Sequence, residues 1–198
     1  SQANKKINKL KKDLLPNPNL LENILIPLID QIEKFKVQIP LISKLRHPGI
    51  KTKHWEMISE SVGFTVSSSM EMTLQAFLSM DLGRWTDEIS EIANKASNEY
   101  NIESSLDQMD NELQTQQFIT KEFKNTGQFI LAQVDDIISL VDDQLVTTQT
   151  LLTSPFIAPV KKRATEKLLF LRQSHDILES WIECQKNWLY LQPIFCGT

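Results

Sequence analysis

The stretch that most constrains this chain runs from Trp85 to Leu113. Apolar residues Trp85, Ile89, Ile92, Ala96, Leu106 and Leu113 recur there on alternating steps of three and four. Glu99 and Glu103 stand as polar interruptions of the series. That period belongs to one face of an α-helix, and no β-strand sustains it. A helix of this length exposes an apolar seam too long to leave in water, so it needs a partner helix packed along it. The seam predicts a mainly α protein: an elongated helical bundle of long antiparallel helices.

Composition agrees. Of 198 residues 41% are hydrophobic and 23% charged, with only five glycines and two tyrosines, values of a globular helical chain rather than an all-β sandwich. A chain of this length buries enough surface for a core without disulfides or metals. The net charge of −4 and pI of 5.4 argue against nucleic-acid binding, which favours a basic domain. Lys5, Lys6, Lys9, Lys11 and Lys12 form one basic run with Ile7, Leu10, Leu14 and Leu15. It reads first as a solvated terminal helix, and alternatively as an amphipathic helix for an acidic surface. The apolar run at 24–29 is far too short to span a membrane, and no signal peptide is visible. Cys184 and Cys196 show neither disulfide-framework nor metal spacing. Starting at Ser1 and stopping at Thr198, the chain is expected to be a piece of something longer.

Further along, residues 19–38 show helical spacing with a kink expected at Pro27. Arg46-His47-Pro48-Gly49 reads as a turn, with Gly49 free to take a positive φ. Thr52 is placed to cap a short helix carrying Trp55, Ile58 and Val62 inward to a stop at Gly63. The "FTVSSSMEM" stretch reads as loop. Asn125-Thr126-Gly127 between β-formers predicts a β-hairpin near 115–131. Leu131, Val134, Ile138, Val141, Leu145, Thr148 and Leu152 restore helical spacing, and Ser154-Pro155-Phe156 stops it. A last helix is expected over about 160–192, its buried stripe Leu171, Leu178, Trp181, Trp188 and Leu191. Both tryptophans read as structural core, and Pro193 as the break that ends the run.

Chemistry is sparse. No phosphate-binding G-x-x-x-x-G-K-[ST], G-x-S-x-G or G-x-G-x-x-G pattern occurs. His47, His54 and His175 lack the i, i+4 spacing that grips zinc. Within one helix, Cys184 lies about 13 Å from His175 by helical rise, beyond reach for a nucleophile pair. The pairs Asp135-Asp136 and Asp142-Asp143 read as a solvated face, or secondarily as a strip for a basic partner, and lack calcium-loop order. These residues describe a non-catalytic helical module, with a protein–protein interaction scaffold or tether of another family as the alternative.

Four stretches, in order, resemble dynein heavy chains, the microtubule motor ATPases, in their linker region. "LRHPGIKTKHWEMI", with Arg46, Pro48, Gly49, His54 and Trp55, is similar to the family's L-R-N-P-x-x-x-x-R-H-W. "DEISEIANKASNEYNIESSL" is similar to its long helix. "NTGQFILAQVDDIISLVDDQLVTTQTLLTSPFIAP" resembles its hairpin, acidic helix and Ser154-Pro155-Phe156 turn. "WIECQKNWLYLQPIF", with Trp181, Gln185, Trp188, Tyr190, Leu191, Pro193, Ile194 and Phe195, resembles W-x-x-x-Q-x-x-W-x-Y-L-E-P-I-F. Gln192, Leu113 and Lys167 depart from the pattern, the first for an acidic residue and the others for tryptophans. The third stretch is closer to axonemal than to cytoplasmic chains.

The resemblance implies a lever: a tail-side segment over 1–38 and part of the linker domain over 39–198, joining the tail and its associated subunits to the AAA+ ring of the same heavy chain. It implies no cofactor in these residues, ATP and Mg in the ring, and microtubules reached only indirectly. It implies neither nucleic acid nor membrane as partner, and a place in the cytoskeleton of a ciliary or flagellar axoneme. ATPase activity and microtubule co-sedimentation are expected to be absent from this piece.

Overall fold

The computed structural model describes residues 5–6, 9–10, 21–66, 79–80 and 82–196. Among the described residues the fold is mainly α with one antiparallel two-stranded hairpin. Its helices are α1 (Ile26–Leu45), α2 (Thr52–Val62), α3 (Thr86–Gln114), α4 (Asp135–Leu152) and α5 (Lys161–Cys196), with β1 (Ile119–Glu122) and β2 (Phe129–Ala132) between α3 and α4. The chain divides into two compact units, residues 1–97 and 98–198. Residues 67–72 of the expected loop, and 7–8 and 11–15 of the basic run, lie outside the described residues.

In the first unit a π turn over Leu21–Leu25 leads into α1. Pro27, the position of the expected kink, lies in the first turn of α1, just where the π turn gives way to α-helix. α1 continues through Pro40 to Leu45. Gly49 takes no positive φ; it is buried, and its N–H donates to His47 Nδ1 at 3.1 Å. The N-cap of α2 is Lys51 rather than Thr52. His54, buried at the third helical position, accepts the Lys51 N–H on Nδ1 at 3.0 Å, the role Glu plays in a capping box. Gly63 ends α2 at φ +80. The core gathers Leu41, Leu45, Ile58, Val62, Val66, Leu82, Ile89 and Ile92, with Trp55 and Trp85 against it. Ser59 fastens the end of α2, its hydroxyl accepting the Val66 N–H at 2.9 Å.

The second unit begins in α3. Ile102, Leu106, Met109, Ile157 and Ala164 form one cluster, with Phe156 packed on it. Val134, Ile137, Val141, Leu171 and Leu178 form another, where α5 packs along α4. Glu99 is buried on the α3 face instead of interrupting it. In α4 the buried set is Ile137, Val141, Gln144 and Thr148, so a glutamine occupies a core position that the apolar pattern assigned to Leu145. Gln144 Nε2 donates to the Met109 carbonyl at 3.1 Å and to Glu112 Oε2 at 3.2 Å, which satisfies the amide nitrogen, while Oε1 is buried without a hydrogen-bond partner. Ser154 receives the Phe156 N–H on its hydroxyl at 3.3 Å, and exposed Pro155 closes the α4 side of the turn.

α5 runs 36 residues and carries Pro193 within its last turn. The proline therefore does not break the helix. It removes one N–H directed at the Leu189 carbonyl, at an end where few further bonds remain to be lost.

Candidate interaction surface

The hairpin is held to α5 by polar and aromatic contacts together. Glu122 and Phe129 close the ladder, with Thr120 opposite Leu131. The connecting loop turns through Lys124 and Asn125 at φ 46 and 54, and Gly127 at φ 71; Asn and Gly tolerate this region best. Gln185, on α5, reaches the outer edge of β2. Its Oε1 accepts the Leu131 N–H at 2.7 Å and its Nε2 donates to the Leu131 carbonyl at 3.0 Å. A primary amide carries the same donor and acceptor as a peptide group, so Gln185 satisfies β2 as a third strand would. Phe123 meets Trp188 edge-on, with centroids 5.2 Å apart and planes at 67°, a favourable quadrupole arrangement.

Around this anchor lies exposed apolar surface. Gln128, Phe129, Ile130, Trp181, Cys184, Gln185 and Trp188 line an open groove of about 410 Å³. Trp181 is 56% exposed and Phe129 68%. The expectation that Trp181 is core is thus corrected, while Trp188 is half-buried beneath Phe123. Tyr190, Leu191, Ile194 and Phe195 are also exposed, and Phe195 reaches 79%.

α5 in fact carries two apolar stripes. One is buried through Ala164, Leu171 and Leu178. The other comprises Phe170, Ile177, Trp181, Cys184, Trp188 and Leu191, exposed except for half-buried Trp188. Its steps of seven, four, three, four and three fit a heptad spacing in which polar Ser174 fills the position skipped between Phe170 and Ile177. Sequence reading merged the two stripes into one; the signal was present, since Phe170 and Leu171 are adjacent and cannot share a face.

A charged cluster ties α3 to the start of α5. Asp110 accepts from Lys167 Nζ at 2.7 Å and from Arg163, which also pairs with Asp107 at 2.7 Å. Burial opposes ionisation of Asp110, but the Lys167 and Arg163 hydrogen bonds and charges outweigh it and hold the carboxyl below its ordinary range. Asp110 in turn raises the affinity of Arg163 for its proton. Lys167, where the family pattern suggests tryptophan, is buried as the cation of this cluster. His175 Nε2 lies 3.2 Å from Asp142 Oδ1 across α4 and α5.

The predicted motif residues fall into three places. Pro48, Gly49, His54 and Trp55 shape the α1–α2 turn and first core, with Arg46 capping α1. Ser154, Pro155 and Phe156 form the α4–α5 turn. Trp181, Gln185 and Trp188 meet the hairpin, and the residues from Tyr190 to Phe195 extend the exposed end of α5. Among the described residues no three His, Cys, Asp or Glu side chains form a metal-holding group, and no helix is long and apolar enough to cross a membrane.

The family described as Dynein heavy chain, N-terminal region 2, matches residues 1–198. Dynein axonemal heavy chain 1 of Homo sapiens is 36% identical over 194 residues, 98% of this chain and 4% of its own length. The Rattus norvegicus chain of that name is 35% identical over 174 residues, 88% of this chain and 4% of its own. Dynein axonemal heavy chain 3 of Homo sapiens is 36% identical over 193 residues, 96% and 4%. The chain thus spans about one twenty-fifth of the length of these relatives. By its matched length and its identity to these proteins, the chain belongs to the dynein heavy-chain family, within N-terminal region 2.

Proposed function

We propose that this chain is part of the linker of an axonemal dynein heavy chain, a non-catalytic lever. It passes ATP-driven conformational change in the AAA+ ring to the tail during microtubule-based movement. The observation that carries this reading is the match to N-terminal region 2 over residues 1–198. The helices support it physically: α3 and α5 are 29 and 36 residues long, and packed apolar seams give such helices the stiffness a lever needs. In this reading residues 1–38 are the tail-side segment and 39–198 part of the linker domain. ATP and Mg act in the ring, and microtubules are reached only through the rest of the motor. Axonemal placement follows from the names of the relatives.

The test is a complete axonemal heavy chain carrying this segment, with a donor fluorophore on α5 and an acceptor on the first AAA+ module. Energy transfer should differ between the nucleotide-free and ATP-vanadate states. Unchanged transfer in a motor that still hydrolyses ATP would sink the lever reading.

A further inference from the structure

We propose that the hairpin is a strained latch on α5: Gln133 is its pivot, Gln185 is its catch, and a slide of α5 along α4 releases it. The proposal goes beyond the linker reading and does not depend on it.

The strain is concentrated in one place. Among the described residues three other than glycine take a positive φ: Lys124 at 46, Asn125 at 54 and Gln133 at 55. All three lie in the hairpin or at its exit. The tight turn at the hairpin tip calls for this conformation at Lys124 and Asn125. Gln133 belongs to no such turn. It is the single residue between β2 and Val134, the N-cap of α4, and it is exposed. A long side chain in the left-handed region is held there by its surroundings and not by its own preference.

The surroundings that hold it are on α5. With Gln133 left-handed, β2 lies against α5, where Gln185 takes both polar groups of the Leu131 backbone and Phe123 meets Trp188. Leu131 also rests its side chain on the α4–α5 cluster, so the docked hairpin is the resting state. The connection to α3 restrains it less. Gln116 closes the end of that helix by donating its N–H to the Leu113 carbonyl at 3.1 Å, and Gln117 and Phe118 beyond it are exposed.

Pivot and catch belong to different helices. Gln133 adjoins the start of α4, and Gln185 and Trp188 stand on α5. The seam between these helices is apolar, built from Ile137, Val141, Leu171 and Leu178. Apolar contact is non-directional and accommodates a slide of about 1 Å. Hydrogen bonds of 2.7 and 3.0 Å do not, because lengthening by about that much carries both out of bonding range. The catch therefore fails while the apolar seam holds, and relief at Gln133 then favours the released hairpin.

Amide exchange at Leu131, read by NMR on this chain, tests both parts, with the Val141 amide in the middle of α4 protected throughout as the measure of an intact fold. Gln133→Gly should slow exchange at Leu131 about threefold, because glycine adopts the left-handed region freely. Gln133→Val should speed it about tenfold, since a β-branched residue resists that region. Gln133→Ala, which trims the exposed side chain but keeps its Cβ, should leave the rate alone. In an unstrained connection glycine would loosen the hairpin, so unchanged or faster exchange in Gln133→Gly overturns the pivot. The coupling is tested with Asp142→Cys and His175→Cys together, at positions whose native side chains meet across the seam, in a chain without other cysteines. Bridging the two by a bismaleimide should slow exchange at Leu131 severalfold against the same protein unbridged. Leu131 opens locally, so a staple that only steadied the whole chain would leave its rate unchanged, and an unchanged rate overturns release by sliding.

Discussion

Gln185 binds Leu131 as one peptide group binds another: its amide oxygen takes the Leu131 N–H at 2.7 Å and its amide nitrogen gives to the Leu131 carbonyl at 3.0 Å. A two-stranded hairpin is marginal alone in water, so this pair, with Phe123 on Trp188, decides whether the hairpin is fixed to α5 or loose. A glutamine 54 residues downstream of the strand thereby sets the position of the groove wall formed by Phe129 and Ile130.

Gln185→Ala should therefore cost about 1–2 kcal/mol, two part-buried hydrogen bonds with no new unpaired charge. The loss should be local. Amide exchange at Leu131 is expected to accelerate strongly, while amides in the middle of α4 keep their protection. Equal loss of protection in hairpin and α4 would show that Gln185 supports the whole unit rather than the hairpin edge.

Asp110 gives a pH-dependent prediction. Its carboxyl is held below the ordinary range in the folded chain, so its pairing stabilises the fold above the unfolded carboxylate pKa and is lost as acid protonates it. Asp110→Asn should cost about 1–2 kcal/mol at neutral pH, an amount limited by the partial exposure of Asp110 but raised by leaving Lys167 buried without that carboxylate. The gap between wild type and variant should hold from pH 7 to 5 and close below about pH 4. Urea midpoints measured across that range decide it; a gap that widens in acid contradicts the assigned pairing.

The long elements were legible because each repeats its signal. Ile89, Ile92, Ala96 and Leu106 announce α3 several times over, and the Asn125-Thr126-Gly127 turn coincides with a change of period. What the residues did not show was which faces find neighbours. Periodicity places Trp181 on a stripe, but its burial depends on whether another element covers that stripe. Lys167 and Gln144 read as surface residues by type. They are buried because Asp110 and Met109, 57 and 35 residues away, supply the partners. Gly49 carried a turn signal, yet it is buried and takes no positive φ.

Phe170 and Leu171 test the two-stripe description of α5 at a single step of the chain. Leu171 has 0% exposure in the α4–α5 cluster, and its neighbour Phe170 has 56%. Leu171→Ala should cost about 2–4 kcal/mol, since it opens a cavity between two long helices. Phe170→Ala, removing a larger side chain, should change the stability of this chain by no more than about 0.5 kcal/mol. Size and hydrophobicity alone predict the reverse order. Urea unfolding of the two variants separates these outcomes, and a costly Phe170→Ala would mean that the stripe is already covered within these residues.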